Sequence, residues 1–211
     1  MRVVPTQKLD FELEMAFFVG KESRLGSPIT LDSSEDHIFG MVLMNDWSAR
    51  DIQRWEYVPL GPFVSKSFAT SISPWIVSLE ALEPFQTQGP QQEPAPLDYL
   101  KLPKAAKSHF DINLEVSARP HKVPHHKTIC NSNAQSLYWS IDQQLAHHTI
   151  TGCNVKKGDL MASGTISGSK PNSFGSLLEL SWNGSNPLEF EGGVKRTFIE
   201  DYDEIAMTGW C

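Results

Sequence analysis

Phe11, Glu12, Leu13, Glu14, Met15, Ala16 and Phe17 form an alternating run with the period of a β-strand that buries one face. Phe11, Leu13, Met15 and Phe17 fall on that face and belong to the core. Glu12 and Glu14 leave from the other face, roughly 6.5 Å apart along the strand. A solvent-facing strand accounts for such a pair, because exposed glutamate is ordinary. A divalent cation also accounts for it: carboxylates drawn into a cleft repel one another, and magnesium or calcium relieves that repulsion. From spacing alone both readings stand.

Downstream, the apolar run 38–44 is long enough for a buried strand. Asn45, Asp46, Trp47, Ser48, Ala49, Arg50, Asp51, Ile52, Gln53, Arg54, Trp55, Glu56 and Tyr57 follow directly. Asp46 sits where the strand ends, positioned either as a turn former or as a third acidic ligand beside Glu12 and Glu14. Ser48 with Asp51 resembles a capping box, so the spacing predicts a helix from Ser48. Arg50, Gln53, Arg54 and Tyr57 then share a helical face, either solvated or, with Trp47 and Trp55 beside it, suited to an oxyanion-rich ligand.

The rest of the chain is read more coarsely. Residues 59–62 are a Pro/Gly turn, 68–79 are extended, and 84–107 form a Pro- and Gln-rich surface excursion before strand signals resume at 110–116. A second capping-box pattern, Ser132 to Gln135, predicts a helix striped by Leu137, Tyr138, Ile141 and Leu145 and ended by Gly152. His148 extends that stripe and is expected to pack. Neither His147–His148 nor His125–His126 has the spacing of a helical zinc site; His37 has no visible partner, and Asp111, Asn113 and Glu115 read as a solvated face. Residues 164–168 make a Gly-flanked turn whose amides suit a carboxylate. Glu179 falls within 177–182, read as an apolar strand, where it needs a partner. Short strands complete a mostly β chain with two helices. It is α+β in class and is read as one domain over 1–211.

With 211 residues, 40% hydrophobic, the chain can build a sizeable core, and its net charge of −7 argues against a nucleic-acid surface. Cys130, Cys153 and Cys211 are odd in number and widely spaced, which fits a reducing cytosol. No stretch has the length of a signal peptide's apolar region or a membrane span. A soluble, cytoplasmic protein is expected.

Residues 9–20, 39–68 and 162–182, with the intervening order, resemble the fumarylacetoacetase (fumarylacetoacetate hydrolase) family. The run 41–63, from Met41 through Asp46 to Phe63, is the most specific part. The resemblance implies a twisted, mixed β-roll with a few short helices and a homodimer. It also implies hydrolysis of a carbon–carbon bond in 4-fumarylacetoacetate to fumarate and acetoacetate, the last step of tyrosine and phenylalanine breakdown. By motif it assigns Glu12, Glu14 and Asp46 to Mg2+ or Ca2+, with Lys66 and Thr70 beside the ion. Arg50, Gln53, Tyr57 and Thr165 are assigned to the small-molecule substrate, with Arg50 and Gln53 also acting in catalysis, and Glu179 is assigned to orienting a catalytic histidine. That histidine, a further metal-binding aspartate and other substrate contacts lie upstream of the Glu-x-Glu strand in the family. Only residues 1–10 precede it here, and the chain stops at Cys211 before a further Gly-rich stretch, so a domain truncated at both ends is expected. Two alternatives follow: a non-catalytic fragment, or the same fold acting on another acylpyruvate or β-keto acid, which the 55–63 continuation disfavours.

Overall fold

The alternating run enters a strand, Leu13–Val19, that pairs with Ile38–Asp46 on one side and Leu160–Ala162 on the other. The structure, a computed structural model, describes residues 4–103 and 105–211. Thr70–Ile72 and Val77–Ser78 continue this sheet along Ile38–Asp46. A second sheet is ordered Lys127–Asn133, Asn113–Arg119, Glu204–Trp210. The expected α+β, predominantly β architecture is present, as a curled half-barrel sheet with short helices. Its strand pairs among the described residues are all antiparallel, which refines the expected mixed pairing.

Phe11, Leu13, Met15 and Phe17 form the predicted core face, packed in one cluster with Leu114 and Val116 of the second sheet and with Leu145 and Ile166. The opposite face is buried too. Glu12, Glu14 and Ala16 are 8%, 2% and 1% exposed, and Ala16 packs with Val42 and Met44. The solvent-facing reading of the two glutamates is therefore excluded. Charges this buried demand partners.

Several local expectations shift. The first helix is Arg50–Glu56, not one from Ser48, and Ala49 at its N-cap makes no side-chain cap. Ser48 instead pairs with Asp10 in a short ladder, and its hydroxyl donates to the Asp46 carbonyl. Asp51 accepts hydrogen bonds from Thr6 Oγ1 and the Gln7 amide. Ser132 does not start a helix: it lies in Lys127–Asn133, opposite Leu114. The helix is Ile141–Thr149, opened by a capping box between Ser140 and Gln143. His148 is exposed rather than packed, and Thr149 is the buried residue beside it. Within 68–79 only Thr70–Ile72 and Val77–Ser78 are strand, and Leu79 begins a four-residue helix. His37 does have a partner, the Lys21 carbonyl.

Gln143 also ties down the surface excursion. Its Nε2 donates to Gln92 Oε1 and to the Leu100 carbonyl, at 2.8 and 2.7 Å. Ser140→Ala should therefore cost about 1 kcal/mol, in the usual range for loss of an N-cap. A urea melt showing no change in midpoint would contradict this cap's role.

Candidate metal centre

Strand pairing brings the acidic residues together. Leu13 stands opposite Asn45, and the Asp46 amide donates to the Glu12 carbonyl at 3.3 Å, so Glu12 and Asp46 face each other across two strands. Asn45 Oδ1 accepts from the Glu12 amide at 3.1 Å, fixing the strand where it enters the site. Glu12, Glu14 and Asp46 each offer a carboxylate oxygen, and these oxygens lie within 4.8 Å of one another. At an effective dielectric near 20, each such pair repels by on the order of 3 kcal/mol. The cluster needs positive charge.

Lys66 and Arg50 supply part of it. Lys66 Nζ donates to Glu12 Oε2 and, at 2.7 Å, to Asp46 Oδ2. Arg50 Nη1 lies 2.7 Å from Glu12 Oε1 and 3.0 Å from Gln53 Oε1. Burial alone would raise the Glu12 carboxyl, but Lys66 and Arg50 outweigh it and hold it below the usual range. Glu14 has no such cation in contact. Burial first, then the charges of Glu12 and Asp46, push its carboxyl up to about 8, against the Gly164 amide that donates to Oε2 at 3.0 Å. A hard, oxygen-seeking divalent cation fits this donor set: three converging carboxylates, one of them still short of compensating charge. Asp46 and Lys66, with side chains 22% and 19% exposed, form the open edge.

The predicted residues fall into two groups. Arg50 and Gln53 are joined at the cluster, and neither Arg50 Nη2 nor Gln53 Nε2 has a hydrogen-bond partner among the described residues. Thr70 pairs with Asp46 in register but is itself exposed. Thr165 lies between Gly164 and Ile166, on a segment that hydrogen-bonds along the Glu-x-Glu strand: Ser163 N donates to the Met15 carbonyl and Ile166 N to that of Leu13. The predicted carboxylate-binding turn thus serves a carboxylate of the chain itself. Arg54 and Tyr57 are exposed, Tyr57 as the cap that ends its helix.

Glu179 is not on a strand. It belongs to the four-residue helix Leu177–Leu180, and Ser167 and Ser176 hydroxyls both donate to its Oε2 at 2.8 Å. The segment leading into this helix lies against the Glu-x-Glu strand, with Ser176 bridged to Glu12, and Gly175 lets the chain approach closely: a Cβ there would lie 2.5 Å from the Ile166 carbonyl oxygen. None of the described histidines hydrogen-bonds Glu12, Glu14 or Asp46. Asp10, which spacing did not single out, is fully buried against Arg50.

A clasp delivers Lys66. The Glu56 carboxylate accepts the amides of Phe63, Val64 and Ser65 and the Ser65 hydroxyl. The intervening loop projects Val58 and Leu60 outward, 69% and 80% exposed.

A carboxylate triad on a curled sheet, flanked by Lys and Arg, is a donor set that could hold a metal ion. The family description "Fumarylacetoacetate (FAA) hydrolase C-terminal" matches residues 2–208, and the chain belongs to that family. It is 56% identical to fumarylacetoacetase of Arabidopsis thaliana over 98% of its length, and 57% and 55% identical to those of Mus musculus and Homo sapiens over 96%. It spans about half of those relatives, 48% of each. Among solved structures, fumarylacetoacetate hydrolase from Exiguobacterium antarcticum matches with a TM-score of 0.61 at 20% identity, covering 97% of this chain and 54% of that one. A 2-hydroxyhepta-2,4-diene-1,7-dioate isomerase from Mycobacterium marinum matches with a TM-score of 0.55 at 18% identity, covering 97% and 56%. At these identities the likeness is one of fold. No helix among the described residues is long and apolar enough to cross a membrane, and the three cysteines are free.

Proposed function

We propose that the chain is the catalytic β domain, over 1–211, of a hydrolase that cleaves 4-fumarylacetoacetate to fumarate and acetoacetate, in tyrosine and phenylalanine breakdown. The observation that carries this reading is the convergence of Glu12, Glu14 and Asp46 in a chain 51–57% identical to fumarylacetoacetases. These three carboxylates would hold Mg2+ or Ca2+, with Lys66 and Thr70 at the edge. Bound there, the ion would supply Lewis-acid polarisation of the diketone oxygens.

The chain's own groups bind and stabilise the substrate around the reacting bond. In the net reaction water would add to the carbonyl, the carbon–carbon bond would break, and acetoacetate would depart with its electron pair and take up a proton. Arg50 Nη2 and Gln53 Nε2 are open donors for the negative charge that develops on the enolate oxygen of the departing acetoacetate. Tyr57 and Thr165 complete the substrate contacts. Glu179, held by two serine hydroxyls, is assigned to orient the water-activating histidine that the family resemblance implies N-terminal to the Glu-x-Glu strand. A cytoplasmic homodimer completes the reading.

The test is turnover by a form that spans the relatives' full length, supplied with Mg2+ or Ca2+. Stoichiometric fumarate and acetoacetate are expected. Preference for a short acylpyruvate would overturn the substrate, and no turnover at all would overturn the reaction.

A further inference from the structure

Asp10 has no part in the roles above, yet it joins three pieces of the site. Its side chain is 0% exposed. Oδ2 accepts from Arg50 Nε and from the Leu178 amide, both at 2.9 Å, and Oδ1 accepts from the Leu177 amide at 2.7 Å. All three donors are N–H groups, so both oxygens are used as acceptors, an arrangement that favours the ionised form against the burial that pushes this carboxyl up. Arg50 Nη1 meanwhile forms an ion pair with Glu12 at 2.7 Å. One guanidinium charge is shared between two buried carboxylates, and only one of them belongs to the acidic triad.

We propose that Asp10 is a positioning residue that sets the strength of Glu12 as a cation ligand. By holding the Nε edge of Arg50 and taking up part of its charge, Asp10 leaves Glu12 the negative charge needed to bind a divalent ion. The same carboxylate anchors the first amides of the helix bearing Glu179, so the two ends of the site are set from one point. This inference rests on the cation reading of Glu12, Glu14 and Asp46. Outer-shell partners of this kind typically change metal affinity 10–100-fold when removed.

The test is isothermal titration of the EDTA-stripped full chain with Mg2+ and with Ca2+. Asp10→Asn keeps the shape but not the charge; Arg50 then pairs with Glu12 alone, and Kd should rise about tenfold or more. Arg50→Gln added to Asp10→Asn should restore the affinity to within about threefold of the unaltered chain, because the cation that Asp10 held in check is gone. A purely structural role predicts further loss in the double variant, and that result, or an unchanged Kd in Asp10→Asn, overturns the inference. Should Asp10→Asn fail to fold by circular dichroism, Arg50→Gln alone decides: the inference requires equal or tighter binding, and weaker binding overturns it. No Mg2+ or Ca2+ binding by the unaltered chain would remove the cation reading itself and this inference with it.

Discussion

Asp46→Ala should abolish measurable divalent-cation binding and lower turnover of 4-fumarylacetoacetate at least ~100-fold, the upper end of what loss of even an outer-shell partner does. In the proposed site Asp46 would contribute the ligand from the second strand. Without it, Glu12 and Glu14 remain on one strand, and Lys66, which bridges Glu12 and Asp46, is left to pair with Glu12 alone. The substitution should spare the fold. Asp46 holds its place through backbone pairing with Glu12 and Thr70, and its side chain is at the open edge. Titration with Mg2+ and Ca2+, alongside a turnover assay of a form spanning the relatives' length, checks both halves. Undiminished turnover would remove Asp46 from the ligand set.

A second large effect concerns pH. Glu14 titrates from an ordinary value of 4.5 in the unfolded chain to about 8 in the folded one. Between those values the unfolded state binds fewer protons than the native state, so the stability of the cation-free protein falls as pH rises. The contribution is fully present below 4.5 and is lost as pH passes about 8, a swing of roughly 3–5 kcal/mol at most. A bound cation favours the ionised carboxylate and should flatten this dependence. Thermal melts from pH 5 to 9 in EDTA should thus show a falling midpoint that excess Mg2+ or Ca2+ suppresses. Glu14→Gln should remove most of the slope in EDTA. If the slope survives that substitution unchanged, the titrating group is another one.

The Glu-x-Glu strand was legible because a period of two separates its faces whatever surrounds it, and Phe11, Leu13, Met15 and Phe17 are indeed the core side. What the period could not tell was that the other face is covered as well; that depends on Ile38–Asp46 and on residues 163–166. Helix starts show the same limit. Ser132 with Gln135 and Ser140 with Gln143 carry the same local pattern, and only the second becomes a cap, because Ser132 is committed to a strand against Leu114. Ser48 is lost to a helix start for the same reason, its ladder with Asp10. Glu179 lies in a helix of four residues, too short to carry a measurable period, and the helix is fixed by a carboxylate 167 positions away in sequence. Asp10 left no signal at all: a single aspartate ahead of a strand resembles any turn residue. Lys66 and Thr165 came from family resemblance, since neither has a neighbour in sequence that would mark it.

The Glu56 clasp closes nine residues of chain with one carboxylate, gathering amides at 63–65. Backbone groups and the Ser65 hydroxyl make that closure; the exposed side chains of Val58 and Leu60 take no part in it. The loop tip and the ammonium at the open edge of the site are thus modular. Residues at the loop tip can be exchanged while Lys66 stays anchored to Glu12 and Asp46.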